Sequence, residues 1–381
     1  MTSESPSRAG GAPLPDTGGA PLPDTGGDRV PDTGGDPAPG RDRDGTPTRS
    51  LLAAVVVVLE RYALLGLLIL VVVVFGSWDK TADAYLTAAN FRNVIGSQTV
   101  LAVIALGAIV PLVCGQFDLS VGSVAGLSSV LTASAYARWD LPLWGGVAVG
   151  ILVGAVVGAV NGVVVTRFGV NALITTLGSA SVVTGIVSWY TGGLSILEKI
   201  PTALTDFGSA NWLGLPRTLY LLVLVALAVY YLLEHTPFGR NLQAVGVNAE
   251  SARLVGLPVP GLVLRSFVVS GTAAGLAGVL LVARSGAGNP GIGSGFTLTA
   301  LAAAFLGATA VRPGRFNVLG TLLAIFFLAL AITGLTFAGV KDYINDLFTG
   351  LALVLAVAIS TVLARRRTGT GTRSPVSPRR S

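Results

Sequence analysis

Long apolar segments separated by short polar breaks fill the chain from residue 51 onward. Between residues 97 and 197, 101 positions carry only four charged side chains. A helix needs about 20 apolar residues to cross the hydrocarbon of a bilayer. The pattern therefore predicts an all-α polytopic membrane protein with about ten transmembrane helices, the eighth short enough to be re-entrant. The predicted spans are 62–78, 97–115, 119–137, 143–165, 172–190, 217–233, 263–284, 296–311, 316–338 and 345–363.

The two ends of the chain differ from this apolar centre. Residues 1–50 are rich in Pro, Gly, Asp and Thr and contain a repeated Pro-Asp-Thr-Gly-Gly unit. Because so few apolar side chains cannot offset the entropy of ordering, we expect a disordered tail there. The transmembrane domain is predicted at 51–364, and a basic disordered tail at 365–381. Arg365, Arg366 and Arg367 directly follow the last apolar run, which favours a cytoplasmic location for both termini.

The composition excludes an ordinary soluble enzyme. Hydrophobic residues make up 52% of the 381 positions and charged residues 12%, with a mean hydropathy of +0.73, whereas soluble domains carry about 25% charged residues. The net charge of +6 lies mainly in the tails and short loops. Lipid is therefore the expected partner, and nucleic acid is not. One cysteine and one histidine supply neither a metal site nor a catalytic set.

Glycine spacing predicts close helix packing in the fourth span. Small residues at every fourth position lie on one helix face and let two backbones approach. The residues are Gly150, Gly154, Gly158 and Gly162.

A shift of 170 residues relates two polar, glycine-containing breaks. It places Gly115–Ser123 on Ser285–Gly293, and the second break continues to Gly295. Paired interruptions of this kind predict two pseudo-repeated halves with broken helices, and they mark the solute path, where irregular backbone lines a cavity. The candidate path residues are Gln116, Asp118, Ser120, Ser123, Asn289, Ser294 and Thr297.

Asp118 is the one acidic side chain among these candidates, and two interpretations of it stay open. Its carboxylate could accept hydrogen bonds from the hydroxyls of a solute or hold a gating helix. It could instead cap the helix that follows. The remaining candidates are neutral, which suits an uncharged solute.

Three ordered motifs carry a family resemblance. They are Phe117–Ser123, Gly239–Gly256 and Leu301–Thr309, the last followed by Gly320-Thr-Leu-Leu. Together they resemble the inner-membrane permeases of bacterial ABC importers for ribose, xylose, arabinose, galactose and related monosaccharides. The resemblance implies a multi-pass protein of the bacterial plasma membrane. It also implies three partners: a cytoplasmic ATPase subunit, an extracytoplasmic sugar-binding protein and a second permease subunit, identical or paralogous.

The resemblance also implies that the Gly239–Gly256 loop couples to the ATPase. Asn248 to Val255 can form a short helix, in which Glu250 and Arg253 would make charged contacts and the small Ala252 would permit close approach. Gly256 would end that helix. The coupling-loop residues are Gly239, Arg240, Asn248, Glu250, Ala252, Arg253 and Gly256.

ATP hydrolysis is expected in a partner subunit. A nucleotide-binding P-loop needs a lysine after a glycine, but the three lysines of the chain, Lys80, Lys199 and Lys341, follow Asp, Glu and Val. We therefore expect no cofactor bound to this chain and no catalytic residues. Two alternatives stay open: a permease for another small solute, such as a branched-chain amino acid, a polyol or an autoinducer sugar, and a facilitative carrier working without ATP.

Overall fold

The described part of the chain is built almost entirely of helices. The computed structural model describes residues 47–341 and 343–367, and the side chains of 62–293, 295–341, 343–344 and 347–358 within them. The helices are α1 Pro47–Ser77, α2 Ala82–Tyr85, α3 Ala88–Val113, α4 Val121–Ala137, α5 Leu143–Arg167, α6 Ala172–Thr191, α7 Thr202–Ser209, α8 Arg217–Glu234, α9 Pro237–Val247, α10 Ala249–Leu254, α11 Val259–Ser285, α12 Ser294–Gly307, α13 Val318–Phe337 and α14 Tyr343–Arg367. Asn211–Trp212 (β1) and Leu215–Pro216 (β2) form an antiparallel hairpin.

Within the residues whose side chains are described, six helices are long and apolar enough to cross a membrane. They are α3, α5, α6, α8, α11 and α13. Four shorter apolar helical stretches lie in α1, α4, α12 and α14, at Tyr62–Ser77, Val121–Ala137, Gly295–Gly307 and Leu347–Ala358. Each predicted span therefore falls on a helix, and the chain is a polytopic helical membrane protein.

The first and last helices extend a few residues into the predicted tails. Helix α1 begins at Pro47, inside the predicted N-terminal tail, and α14 continues to Arg367, inside the predicted C-terminal tail. Proline suits the first turn of a helix because its missing N–H has no partner there in any case. Residues 1–46 and 368–381, which hold the rest of both tails, lie outside the described part of the chain.

Four short elements were missed by the hydropathy pattern. These are α2, α7, the β1–β2 hairpin and α9, whereas α10 matches the short helix predicted from Asn248 to Val255. Each is shorter than a membrane span, and prolines at 201, 216 and 237 stand at or beside their ends. A search for long apolar runs cannot find them, because each element is too short to contain such a run.

Helix α11 is the centre of the bundle and packs against α3, α4 and α5. Its contact with α5 uses glycine on both sides. A side chain at Gly154 would collide with the Gly271 carbonyl and with Gly275, and one at Gly158 would collide with the Phe267 carbonyl. Gly150 lies against Val279 of α11 and Thr132 of α4, and Gly162 lies against Leu264. The two helix backbones therefore touch along the middle of the bundle.

Candidate solute pathway and coupling loop

The first break connects α3 to α4. Helix α3 ends just after an internal proline, and the Gln116 N–H donates to the Pro111 carbonyl at 2.9 Å. Gly115 adopts φ = +78°, a left-handed conformation that glycine enters without strain. The chain then turns back into the bundle as an irregular segment and resumes as α4 at Val121.

Asp118 is the buried hub of this segment, with 1% of its surface exposed. One carboxylate oxygen, Oδ1, accepts the Ser120 N–H at 3.0 Å and the Ser120 hydroxyl at 2.6 Å. The other, Oδ2, accepts the Ser270 hydroxyl of α11 at 2.8 Å. Asn161 of α5 in turn donates its Nδ2 to the Ser120 hydroxyl oxygen at 2.9 Å. The start of α4 is thus hydrogen-bonded to both α5 and α11.

This geometry bears on the two interpretations of Asp118. Asp118 Oδ1 accepts the N–H of Ser120, two residues later in the chain, and this bond forms an Asx turn at the start of α4. This role is close to capping the helix. The bond to Ser270 ties α4 to another helix. Burying a carboxyl group is costly unless hydrogen bonds compensate, and three donors do so here. Asp118 is therefore a structural junction, and its contact with a solute stays a prediction.

The second break connects α11 to α12. Gly286 follows α11 at φ = +65°, and Gly288 pairs with Ile196 through an isolated antiparallel bridge. Asn289 is half-buried, and its Oδ1 accepts the Gly291 N–H at 2.9 Å. Gly293 lies so close to the Gly122 carbonyl and to Gly126 that no side chain would fit there. The second break therefore runs along the surface of α4.

One hydrogen bond joins the starts of the two interrupted helices. The Gly122 N–H of α4 donates to the Thr297 hydroxyl of α12 at 3.1 Å. The structure thus brings together the predicted path residues Asp118, Ser120, Ser123 and Thr297 around the first turns of α4 and α12. Gln116 and Asn289 lie half-buried, one in each break. The side chain of Ser294 lies outside the described part of the chain.

A cavity of about 250 Å³ lies beside this junction, between α4, α6 and the second break. Of the predicted path residues with described side chains, Ser123 lines it. Thr184 and Ser188 of α6 also line it, and the sequence search missed both of them. Nothing in the sequence singled them out, because α6 has five other hydroxyl-bearing Ser and Thr residues: Thr175, Thr176, Ser179, Ser181 and Thr191. No charged side chain lines the cavity within the described residues.

The loop after α8 folds into two short helices. The Thr236 hydroxyl accepts the Gly239 N–H at the start of α9, and Asn248 Oδ1 accepts the N–H groups of Glu250 and Ser251 at the start of α10. A side chain at Gly239 would collide with the carbonyls of Leu232 and Leu233. Helix α10 ends at Leu254, and Gly256 follows at φ = +84°. Capping at both ends defines a helix of six residues.

The side chains of this loop divide into an exposed and a buried set. Arg240, Glu250 and Arg253 are exposed. Ala252 is only 4% exposed and packs into the main hydrophobic core, so the expectation that it faces a partner was wrong. On so short a helix, one face must cover the bundle, and Ala252 is on that face.

Three large apolar residues of the same loop are exposed instead. Val247, Leu254 and Val255 are 82%, 85% and 77% exposed. Clustered exposed apolar side chains typically mark an interaction surface. The sequence analysis missed these residues because they lie within a segment that is polar as a whole.

An ion pair links the end of α8 to the loop between α12 and α13. The Arg312 guanidinium contacts the Glu234 carboxylate. This hydrogen bond raises the pKa of Arg312 above its ordinary value. Glu234 lies three residues before the start of α9, so the ion pair is at the end of the bundle that carries the α9–α10 loop.

These features define a class. Helices of membrane length, two interrupted helices meeting inside the bundle and a capped loop with exposed apolar and charged residues are typical of the membrane-spanning permease of a transporter. The model of one permease family, described as "Branched-chain amino acid transport system / permease component", matches residues 90–357. The chain belongs to this family.

The alignments of this chain with its curated relatives span most of each relative's length. The ribose import permease protein RbsC of Escherichia coli K12 is 31% identical over 79% of this chain and 93% of its own. The L-arabinose transport system permease protein AraH of the same strain is 33% identical over 77% and 88%. The autoinducer 2 import system permease protein LsrC of Photorhabdus luminescens is 32% identical over 77% and 87%. No solved structure matches the chain.

Proposed function

We propose that this chain is the transmembrane permease subunit of an ATP-driven ABC importer that moves a monosaccharide into the cell. The observation that carries the proposal is the similarity of about four fifths of the chain to permeases named for ribose and arabinose. The uncharged, hydroxyl-bearing cavity beside the junction of α4 and α12 supports a neutral, polyhydroxylated solute.

The proposal includes about ten spans in two pseudo-repeated halves, with both termini in the cytoplasm. The helix bounds support the repeat. Adding 170 to the residue numbers moves α3 onto α11, α4 onto α12, α5 onto α13 and α6 onto α14, with starts within five residues and ends within six. The packing is reciprocal as well, since α11 packs on α4 and α5 while α3 packs on α12 and α13.

In the proposed importer, the α9–α10 loop docks on a cytoplasmic ATPase subunit, which binds and hydrolyses ATP. Leu254 and Val255 supply apolar contact area, and Glu250 and Arg253 supply charged contacts at its rim. Nucleotide-driven movement of the ATPase would then shift the helices attached to α9 and α10. A second permease subunit and an extracytoplasmic sugar-binding protein complete the importer, and this chain binds no cofactor of its own.

The second candidate is a permease for a branched-chain amino acid, which the description of the matching family favours. An amino acid carries an ammonium and a carboxylate group, and both need charged or strongly polar partners when they leave water. The cavity has no charged lining residue within the described part of the chain. A monosaccharide therefore fits better.

Uptake into vesicles tests the proposal. Vesicles holding this chain with its ATPase and binding protein are given labelled pentoses, hexoses, polyols and leucine, with and without ATP. We expect ATP-dependent uptake of one monosaccharide. Arg253→Glu should lower that uptake by about ten-fold, since an exposed contact to the ATPase becomes repulsive.

Arg92→Glu is the matched control for the charge reversal. Arg92 lies at the other end of the bundle, and its Nε donates to the local Ala88 carbonyl. This variant should keep wild-type uptake. Uptake that persists without ATP would contradict the importer and favour a facilitative carrier, and uptake of leucine alone would favour the second candidate.

A further inference from the structure

The cavity beside the junction of α4 and α12 has fixed walls. On one side, Gly293 is pressed against Gly122 and Gly126, so the second break cannot move closer to α4. On another, the Ile196–Gly288 bridge holds the start of the same break. The remaining wall is α6, which places Thr184, Val187 and Ser188 toward the space. A cavity between irregular backbone and a helix is where transporters hold solutes.

Its size selects small solutes. A water molecule occupies about 30 Å³ in the liquid, so a cavity of about 250 Å³ has the volume of roughly eight water molecules. Drug-sized ligands need cavities of about 300–1,000 Å³. The space therefore matches a pentose or a hexose better than a disaccharide or a peptide.

The side chains offer hydrogen-bonding capacity without charge. The Thr184 hydroxyl donates to the Ala180 carbonyl at 2.8 Å, and its oxygen keeps lone pairs that can accept a solute hydroxyl. Ser123 Oγ lies 3.4 Å from Thr184 Oγ1, which places two hydroxyls next to each other. Pro290 adds an apolar surface, which suits the C–H face of a sugar ring.

The cavity is open on its α6 side. Thr184 and Ser188 are exposed, and Gly193, at φ = +79°, lies at the rim, where a Cβ atom would meet nothing within 4 Å. Thr184 lies seven residues before the end of α6, roughly 10 Å along a helix. In the proposed orientation this end faces the outside of the cell, where a binding protein delivers the sugar.

We propose that this cavity is the outer sugar-binding subsite of the permease, with Thr184 and Ser188 of α6 as residues that determine specificity. The inference rests on the proposed function and deepens it, because it assigns the sugar to a site within a single permease chain. Thr184 accepts one sugar hydroxyl, Ser188 contacts a second, and Pro290 packs against the ring.

Cysteine protection tests occupancy directly. The chain has one cysteine, the buried Cys114, so Cys114→Ser provides a cysteine-free background. Ser188→Cys in that background is labelled with a membrane-impermeant thiol reagent in the assembled importer, with and without the sugar that the wild type takes up. We expect that sugar to slow labelling about three-fold or more, and mannitol, unless it is itself the transported solute, to leave it unchanged.

Thr336→Cys is the matched control. Thr336 is exposed near the end of α13 on the same side of the bundle, and its hydroxyl donates to the Ile332 carbonyl at 2.9 Å, much as Thr184 bonds to Ala180. The sugar should not change its labelling rate. Equal labelling of Ser188→Cys with and without sugar would overturn the subsite.

Uptake of the hydroxyl-deleted variants supplies the second readout. Thr184→Val keeps the shape and removes the hydroxyl, and should lower the maximal uptake rate about three- to ten-fold, the effect of one neutral hydrogen bond. ATP hydrolysis stimulated by the loaded binding protein should stay at the wild-type rate, so more ATP is used per sugar. Thr336→Val should change neither rate.

The outcomes separate this inference from the proposed function. If the wild type takes up no sugar with ATP, the proposed function fails and the subsite with it. If the wild type takes up a sugar, but Thr184→Val keeps wild-type uptake or Ser188→Cys is not protected, the importer stands and the subsite is wrong.

Discussion

Ser270 of α11 donates its hydroxyl to the Asp118 carboxylate at 2.8 Å, across 152 positions of sequence. Because Asp118 also accepts two bonds from Ser120, the carboxylate joins the irregular entry of α4 to the central helix of the bundle. This junction lies next to the contact between α4 and α12, so its integrity sets the position of both interrupted helices.

Replacing Asp118 should destabilise the protein. Asp118→Ala leaves the Ser120 and Ser270 hydroxyls without their acceptor, and we expect a loss of about 2–3 kcal/mol in unfolding free energy. Asp118→Asn keeps an acceptor oxygen and should lose less. Thermal unfolding of the purified protein in detergent measures both, with Ser97→Ala as a control whose lost hydroxyl bonds only to the local Val94 carbonyl.

The same experiment decides between the two interpretations of Asp118. A structural junction lowers Tm and uptake together. If Asp118→Ala keeps the wild-type Tm and loses only uptake, the carboxylate acts on the solute and not on the fold.

Adding one methyl group to the α5–α11 contact should also destabilise the bundle. In Gly154→Ala the new methyl collides with the Gly271 carbonyl, and overpacking of this kind costs about 1–3 kcal/mol. Gly178→Ala is the same change on α6, where nothing lies within 4 Å of the new atom. Thermal unfolding should show a lower Tm for the first variant and an unchanged or slightly higher one for the second. Equal Tm values would contradict the close packing.

The cap of α10 should be needed for coupling. Asn248→Ala removes the acceptor of two N–H groups and costs about 1 kcal/mol, a large effect for a helix of six residues. Asn248→Asp keeps the acceptor and adds a favourable charge at the helix start. We expect reduced ATP-dependent uptake for the first variant and near wild-type uptake for the second. Equal uptake by both would show that α10 does not need its cap to function.

The ion pair between Arg312 and Glu234 should contribute modestly. Both side chains are partly exposed, so a double-mutant cycle with Arg312→Gln and Glu234→Gln should give a coupling of about 0.5–1 kcal/mol that falls at high salt. Thermal unfolding at low and at high salt measures it. A coupling that is independent of salt would contradict a solvent-screened pair.

Hydropathy alone located the apolar helices. Their places in the chain follow from the sequence because lipid solvates apolar side chains, so a long apolar run has one stable environment whatever its neighbours are. Their ends do not follow in the same way, since α1 and α3 begin 15 and 9 residues before the predicted spans. The cap at Asn248 and the left-handed conformation of Gly256 also follow from the local sequence, because both depend only on adjacent residues. Sequence motifs also led to the family, which the match over residues 90–357 shows.

Only the tertiary structure decided which polar residues meet. Ser270 and Asn161 join Asp118 and Ser120 because helices distant in sequence pack side by side. Thr184 and Ser188 line a cavity because α6 lies against the second break, and Ala252 is buried because α10 rests on the bundle. A hydropathy profile carries no information about helix rotation or neighbours. The place of each apolar helix along the chain was therefore determined by the sequence, and the composition of the junction and the cavity was determined by packing.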